Sequence, residues 1–108
     1  MAQLCVTEFA EVQIGPAGRV GQMPMQPPLA TQGVGNAGGS TQSTVFNAKT
    51  RIVRLHTDTT CCIEFGTNPT AVSISGGAAM TTRLVAGQTE YHAVPVGAGF
   101  RVAVVAST

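Results

Sequence analysis

Apolar and polar residues alternate in the second half of the chain, in short runs separated by turn residues. In TRIVRLHT (50–57), Val53 and Leu55 fall on one face, while Arg51 and Arg54 fall on opposite faces. The run CCIEF (61–65) alternates in the same way after the turn residues at 58–60. Residues 44–69 are therefore predicted to form a central β-hairpin, around which the rest of the chain is organised.

Further strands and the turns between them are predicted up to residue 106. Apolar alternation predicts further strands over residues 71–75, 80–85, 89–94 and 100–106. Gly76-Gly77, 86–88 and 97–99 are turn signals between them. Strands at a spacing of about 8–12 residues with no 3.6-residue period predict an all-β fold, an antiparallel β-sandwich or jelly-roll-like domain.

The segment 15–43 has a different composition from the rest. It holds seven of the thirteen glycines and four of the six prolines, and its only charged residue is Arg19. Its prolines and glycines disfavour a helix and the interior of a sheet. Residues 2–9 alternate as a short strand, so we predict a strand plus an extended arm over 1–43 and a β-sandwich domain over 44–108. An irregular loop folded over its own domain is the alternative for 15–43.

Apolar side chains recur along this predicted arm, and methionine adapts to irregular apolar grooves. An arm that orders against a neighbouring subunit would use them as contacts. The predicted contact residues of the arm are Met23, Met25, Pro27, Pro28 and Leu29.

The charge content favours assembly over nucleic-acid binding. Charged residues make up 10% of the chain and the net charge is +1, whereas about a quarter of residues are charged in a typical protein. Nucleic-acid binders usually carry a basic face, so we expect no nucleic-acid partner. Arginine is enriched at protein interfaces, which makes Arg51 and Arg54 further candidate contact residues. A solvated rim is the alternative for these arginines.

The aromatic content, the hydropathy and the cysteines further limit the classes of partner that we expect. Only four Phe, one Tyr and no Trp are available for stacking on sugars or bases. No apolar run reaches the ~20 residues of a membrane span, and the N-terminus does not resemble a secretory signal. We therefore expect no membrane partner and a protein made in a cytoplasm. Three cysteines, with Cys61 and Cys62 adjacent, predict reduced thiols.

Catalytic and metal chemistry has weak support in the sequence. Glu90 and His92 share a face if 89–94 is a strand, and His56 would lie near Glu64 in the predicted hairpin. Two histidines and two carboxylates are side chains that can bind a metal or perform acid–base catalysis. Neither spacing matches a ligand motif. Adjacent cysteines point to opposite faces of a strand, so one buried thiol and one at a surface or at a contact is the simpler interpretation. We expect no enzyme activity, no catalytic residue, no metal and no cofactor.

Two stretches resemble small virion structural proteins of tailed bacteriophages. They are FNAKTRIVRLHTDTTCCIEFGTNPTA and RLVAGQTEYHAVPVGAGFRVAVVA, within residues 46–106. The resemblance implies a capsid decoration (cement) protein, or another head or tail component, that assembles in many copies on a virion. It also implies a β-sandwich or jelly-roll-like fold, an arm that latches neighbours, and the major capsid protein, other virion proteins and further copies of itself as partners.

A small ligand-binding or carbohydrate-binding module is the alternative function. Such a module needs an exposed aromatic platform or a polar pocket, and Tyr91 is the only tyrosine.

Overall fold

The computed structural model describes residues 3–10, 12–14, 20–24, 27–35, 39–73 and 81–107, of which 12–14 and 20–24 are described by their backbone only. These residues contain strands and no helix, which confirms the all-β prediction. The strands are β1 (Gln3–Phe9), β2 (Val12–Ile14), β3 (Val20–Pro24), β4 (Ala30–Gly35), β5 (Thr41–Gln42), β6 (Ile52–Thr57), β7 (Cys61–Gly66), β8 (Thr82–Leu84), β9 (Thr89–Ala93) and β10 (Arg101–Ala106).

Two four-stranded antiparallel sheets dominate the fold. The first sheet has the order β4-β1-β6-β9, and the second sheet has the order β5-β10-β7-β8. A separate pair joins β2 to β3. β1 and β6 are the interior strands of the first sheet, and β10 and β7 are the interior strands of the second. The strands with the most regular alternation in the sequence, β6 and β10, therefore have neighbours on both sides.

One hydrophobic core is built from both sheets. Leu4, Val6 and Leu55 of the first sheet and Ile63 and Val104 of the second belong to a single cluster of buried side chains. These residues recur at alternate positions of their strands, so one face of each sheet contributes them. We call the face that carries this cluster the inner face of each sheet.

The predicted hairpin of residues 44–69 is wrong in its pairing. Both strands form, as β6 and β7, but β6 pairs with β1 and β9 whereas β7 pairs with β10 and β8. Since both sides of β6 are occupied, β7 cannot add to it. The connection at 58–60 instead crosses between sheets, and the carboxylate of Asp58 accepts a 2.7 Å hydrogen bond from the backbone N–H of Gln3.

The prediction of an extended arm is also wrong in part, because β4 and β5 lie within 15–43 and belong to the two sheets. β4 pairs along its whole length with β1, and β5 pairs with β10. Both are edge strands, where glycine is tolerated, and Pro27 and Pro28 precede β4 rather than interrupt it. A Cβ on Gly33 would come within 2.8 Å of the Gln3 side chain, so this glycine permits a close approach. Residues 15–19, 25–26 and 36–38 lie outside the described residues, and the division at residue 43 stays a prediction.

The strands after β7 form where the alternation predicts them, except at 71–75. Residues 71–73 are not a strand, although the N–H of Thr81 donates to the carbonyl of Val72 at 3.1 Å, and 74–80 lie outside the described residues. Gly87 in the predicted turn at 86–88 has a φ of 80°, and the N–H of Gln88 closes that turn on the carbonyl of Val85.

The cysteine prediction is half right. Cys5, Cys61 and Cys62 are all free thiols, but Cys62 is fully buried, not at a surface. Cys62 and Ala103 share the face of the second sheet that is turned away from the core, and both are completely inaccessible. Part of this outer face is therefore covered as well.

Candidate functional site: one end of the first sheet and its β9 edge

Chain connections bring several predicted contact residues to one end of the first sheet. β4 begins opposite Glu8, and β6 begins opposite Phe9. The N–H of Leu29 donates to the carbonyl of Glu8 at 2.7 Å, and the N–H of Arg51 donates to that of Phe9 at 2.9 Å. Leu29 and Arg51, far apart in sequence, thus lie on either side of the end of β1.

This end also carries apolar side chains that face solvent. Leu29 is 37% exposed and Val96, in the turn after β9, is 52% exposed. Pro27 and Ala48 are exposed too. We call the exposed residues at this end the end surface, made of Pro27, Leu29, Ala48, Lys49, Arg51 and Val96.

Glycine geometry holds the turn of Val96 close to the loop before β6. Gly97 has a φ of 70°, which L side chains rarely adopt, and its Cβ position lies 3.8 Å from the carbonyl oxygen of Ala48. Gly99 has the same φ and approaches Val45, another exposed apolar residue. The turn signal seen at 97–99 in the sequence therefore shapes the end surface.

A shallow pocket of about 340 Å³ opens within the end surface. Its lining consists of Ala10, Ala48, Lys49, Arg51 and Val96. Two of these side chains are cationic, and within the described part of the chain neither makes an ion pair. The lining can accept a small group that carries a negative charge beside an apolar body.

A buried carboxylate supports the loop that carries these cations. Glu8 is 2% exposed, and its Oε1 accepts hydrogen bonds of 2.7 Å from the backbone N–H of Asn47 and from the hydroxyl of Thr50. Asn47 in turn accepts from the N–H of Lys49 through its own side chain. Glu8 alternates with Leu4 and Val6 along β1, but no sequence signal revealed its two partners, which are about forty positions away.

The β9 edge brings together the second group of interest. Glu90 and His92 share one face of β9, as predicted, with His92 Nε2 3.1 Å from Glu90 Oε1. That face is the inner one, because the two residues lie opposite the buried Leu55 and Val53. Gln88 Nε2 donates to the other carboxylate oxygen at 2.6 Å. The ring of His92 lies 5.1 Å from that of Phe65 in the second sheet, centroid to centroid.

The second predicted histidine pair does not form. Because β6 and β7 are in different sheets, His56 lies beside Thr89, with Nδ1 2.8 Å from its hydroxyl, while Glu64 is exposed on the second sheet. In the described residues, no group of three or more His, Cys, Asp or Glu side chains could hold a metal ion.

The remaining predicted contact residues lie away from the end surface or outside the described residues. Arg54 is opposite Tyr91 on the outer face of the first sheet, and Tyr91 is 53% exposed. Pro28 is half-buried. Met25 and the side chain of Met23 lie outside the described residues.

No protein-family model, curated protein or solved structure matches the chain. Among the residues that the structure describes, no helix is long and apolar enough to cross a membrane.

Proposed function

We propose that the protein is a non-enzymatic structural protein that assembles in many copies, as a capsid decoration protein of a virion. The single observation that carries this proposal is the end surface, where exposed apolar side chains lie at the same end of the first sheet as Lys49 and Arg51, two cations that make no ion pair within the described residues. Exposed apolar groups rimmed by polar residues are typical of sites that bind other proteins. A chain with only 10% charged residues also has little charge to keep its copies apart.

A face-to-face β-sandwich is part of the same proposal. Both four-stranded sheets contribute alternate residues to one core cluster, as the two sheets of a sandwich do. Such a domain presents loops at its ends and strands at its sides, so the end surface and the β9 edge are the surfaces it offers to neighbours.

Co-sedimentation with undecorated tailed-phage capsids tests the proposal. We expect the wild-type protein to sediment with the capsids and Val96→Asp to stay in the supernatant, because a carboxylate there breaks the apolar contact. Val85→Asp is the matched control, since Val85 is similarly exposed but lies at the opposite end of the first sheet. A wild-type protein that never sediments with capsids, and that stays monomeric, would contradict the proposal.

The pocket favours a second candidate function, the binding of a small ligand. Lys49 and Arg51 both line it, so its ligand would carry a carboxylate or another oxyanion. Tyr91 is not among its lining residues, so a carbohydrate site at Tyr91 would be separate. Glycan-array binding that is lost in Tyr91→Ala would support the carbohydrate alternative, and a blank array would argue against it.

A further inference from the structure

β9 is an edge strand, and no strand in the described residues pairs with its second side. It pairs on one side with β6 and forms the border of the first sheet. An open edge exposes unpaired backbone N–H and C=O groups and can accept another strand. The question is which strand would fit.

The hydrogen-bond pattern shows which residues of β9 face outward. The N–H of Val94 donates to the carbonyl of Arg51, and the N–H of Thr57 donates to that of Gln88. In an antiparallel pair the bonded positions alternate, so Glu90 and His92 also bond to β6. The backbone groups of the residues between them, Thr89, Tyr91 and Ala93, therefore point to the open edge.

We infer that β9 pairs with β9 of a second copy, antiparallel and centred on Tyr91. A two-fold axis at Tyr91 sets each Tyr91 opposite the other and each Thr89 opposite an Ala93. All three pairs use outward-facing backbone groups, as a ladder requires. This register uses the full length of the five-residue strand, and the two first sheets join into one continuous sheet.

The side chains of β9 are complementary to themselves in this register. Glu90 of each copy lies opposite His92 of the other, at positions that do not exchange backbone bonds, where side chains approach most closely. Within the described residues His92 bonds only through Nε2, so its Nδ1 is available. A carboxylate oxygen can accept more than one hydrogen bond, so Glu90 can keep its own contacts and accept another.

Tyr91 strengthens the contact on the other face. It is 53% exposed, next to Arg54 across the strands. Two tyrosines facing each other across the axis would bury area at little entropic cost, and tyrosine is enriched in protein interfaces. The rival interpretation is that the inward-facing charge of Glu90 keeps this edge unpaired, since inward charges protect many natural edges.

Disulfide trapping tests the register directly. In a Cys5→Ser background, which removes the exposed thiol, Tyr91→Cys places one cysteine opposite its copy. Opposed Cα atoms about 5.5 Å apart lie within disulfide range. We expect diamide to give a covalent dimer with Tyr91→Cys but none with Ala93→Cys, because two copies of position 93 would lie four residues apart along the ladder. Equal cross-linking of both variants, or none of Tyr91→Cys, would overturn the pairing.

Charge exchange gives a second test that needs no cross-link. Glu90→Lys alone and His92→Glu alone each place mismatched groups opposite one another, so each should sediment as a monomer. An equimolar mixture restores opposite charges at both positions and should sediment at twice the 11.0 kDa chain mass. Circular dichroism confirms that each variant is folded, and Glu64→Lys controls for the change in net charge. A mixture that stays monomeric overturns the inference.

The inferred pairing rests on the proposed multi-copy function, but the two can fail separately. If the wild type assembles while the β9 variants have no effect, the assembly uses another surface and the β9 pairing is wrong. If the wild type is monomeric at every concentration and ignores capsids, both proposals fail.

Discussion

The carboxylate of Glu8 lies 2.7 Å from the hydroxyl of Thr50, and both residues are buried. Through this bond and the one from the N–H of Asn47, a strand residue fixes the loop that carries Lys49 and Arg51. The loop that carries Lys49 and Arg51 is thus held by a buried polar contact in addition to the backbone bond from Arg51 to Phe9.

Removing the charge of Glu8 should destabilise the fold. Glu8→Gln keeps the size of the side chain but weakens the two charge-assisted hydrogen bonds that the carboxylate accepts from Asn47 and Thr50. We expect a loss of about 1–3 kcal/mol in the free energy of unfolding, measured by urea denaturation. Glu64→Gln, on an exposed carboxylate, should change it by less than about 0.5 kcal/mol. Equal effects of the two substitutions would show that the buried contact contributes nothing.

Gly87 and Gly35 together test the cost of a positive φ, because the two glycines differ in backbone conformation but not in the space around them. An added Cβ meets nothing within 4 Å at either position, but Gly87 has a φ of 80° and Gly35 has no such conformation. We expect Gly87→Ala to lower the thermal midpoint, with a cost of about 1 kcal/mol, and Gly35→Ala to leave it nearly unchanged. A neutral Gly87→Ala would mean that the turn before β9 adopts another conformation.

The three cysteines should differ sharply in reactivity. Cys5 is exposed, whereas Cys61 and Cys62 are buried. A thiol reagent should therefore label one cysteine in the native protein and all three in denaturant.

Cys62 offers a mutational check of the same burial. Cys62→Ser places a hydroxyl in a fully covered position and should cost about 1–3 kcal/mol, while Cys5→Ser should be neutral. Rapid native labelling of Cys62 would contradict the covered outer face of the second sheet.

Deleting residues 15–43 should unfold the protein rather than merely detach an arm. The deletion removes β4 from the first sheet and β5 from the second. It also removes the side chain of Gln32, which accepts a hydrogen bond from the N–H of Thr44 at 3.0 Å. We expect the far-UV circular dichroism signal for strands to be lost. A deletion variant that unfolds cooperatively at the wild-type midpoint would support an independent arm.

What the sequence predicted well is local. The alternation in β6 and β10 identified the strands, and the two-residue spacing of Glu90 and His92 placed them on one face, because both features depend only on neighbouring residues. Pairing is not local. β6 and β7 are joined by three residues, yet each finds its partners elsewhere, and no residue at 58–60 signals the crossing between sheets.

Composition misled where an edge strand was involved. β4 has two glycines and follows two prolines, which is typical of a loop. The prolines lie before the strand, however, and as an edge strand β4 bonds on one side only. The end surface could not be predicted for a related reason. Leu29, Arg51 and Val96 come to the same end of the first sheet only because β4 and β6 begin there and β9 ends there.

The native mass of the full-length protein, measured by sedimentation velocity across a wide concentration range, tests the proposed assembly most directly. We expect the mass to rise with concentration to a multiple of the 11.0 kDa chain, with the dimer as its first step. A mass of one chain at every concentration, with and without capsids, would contradict it.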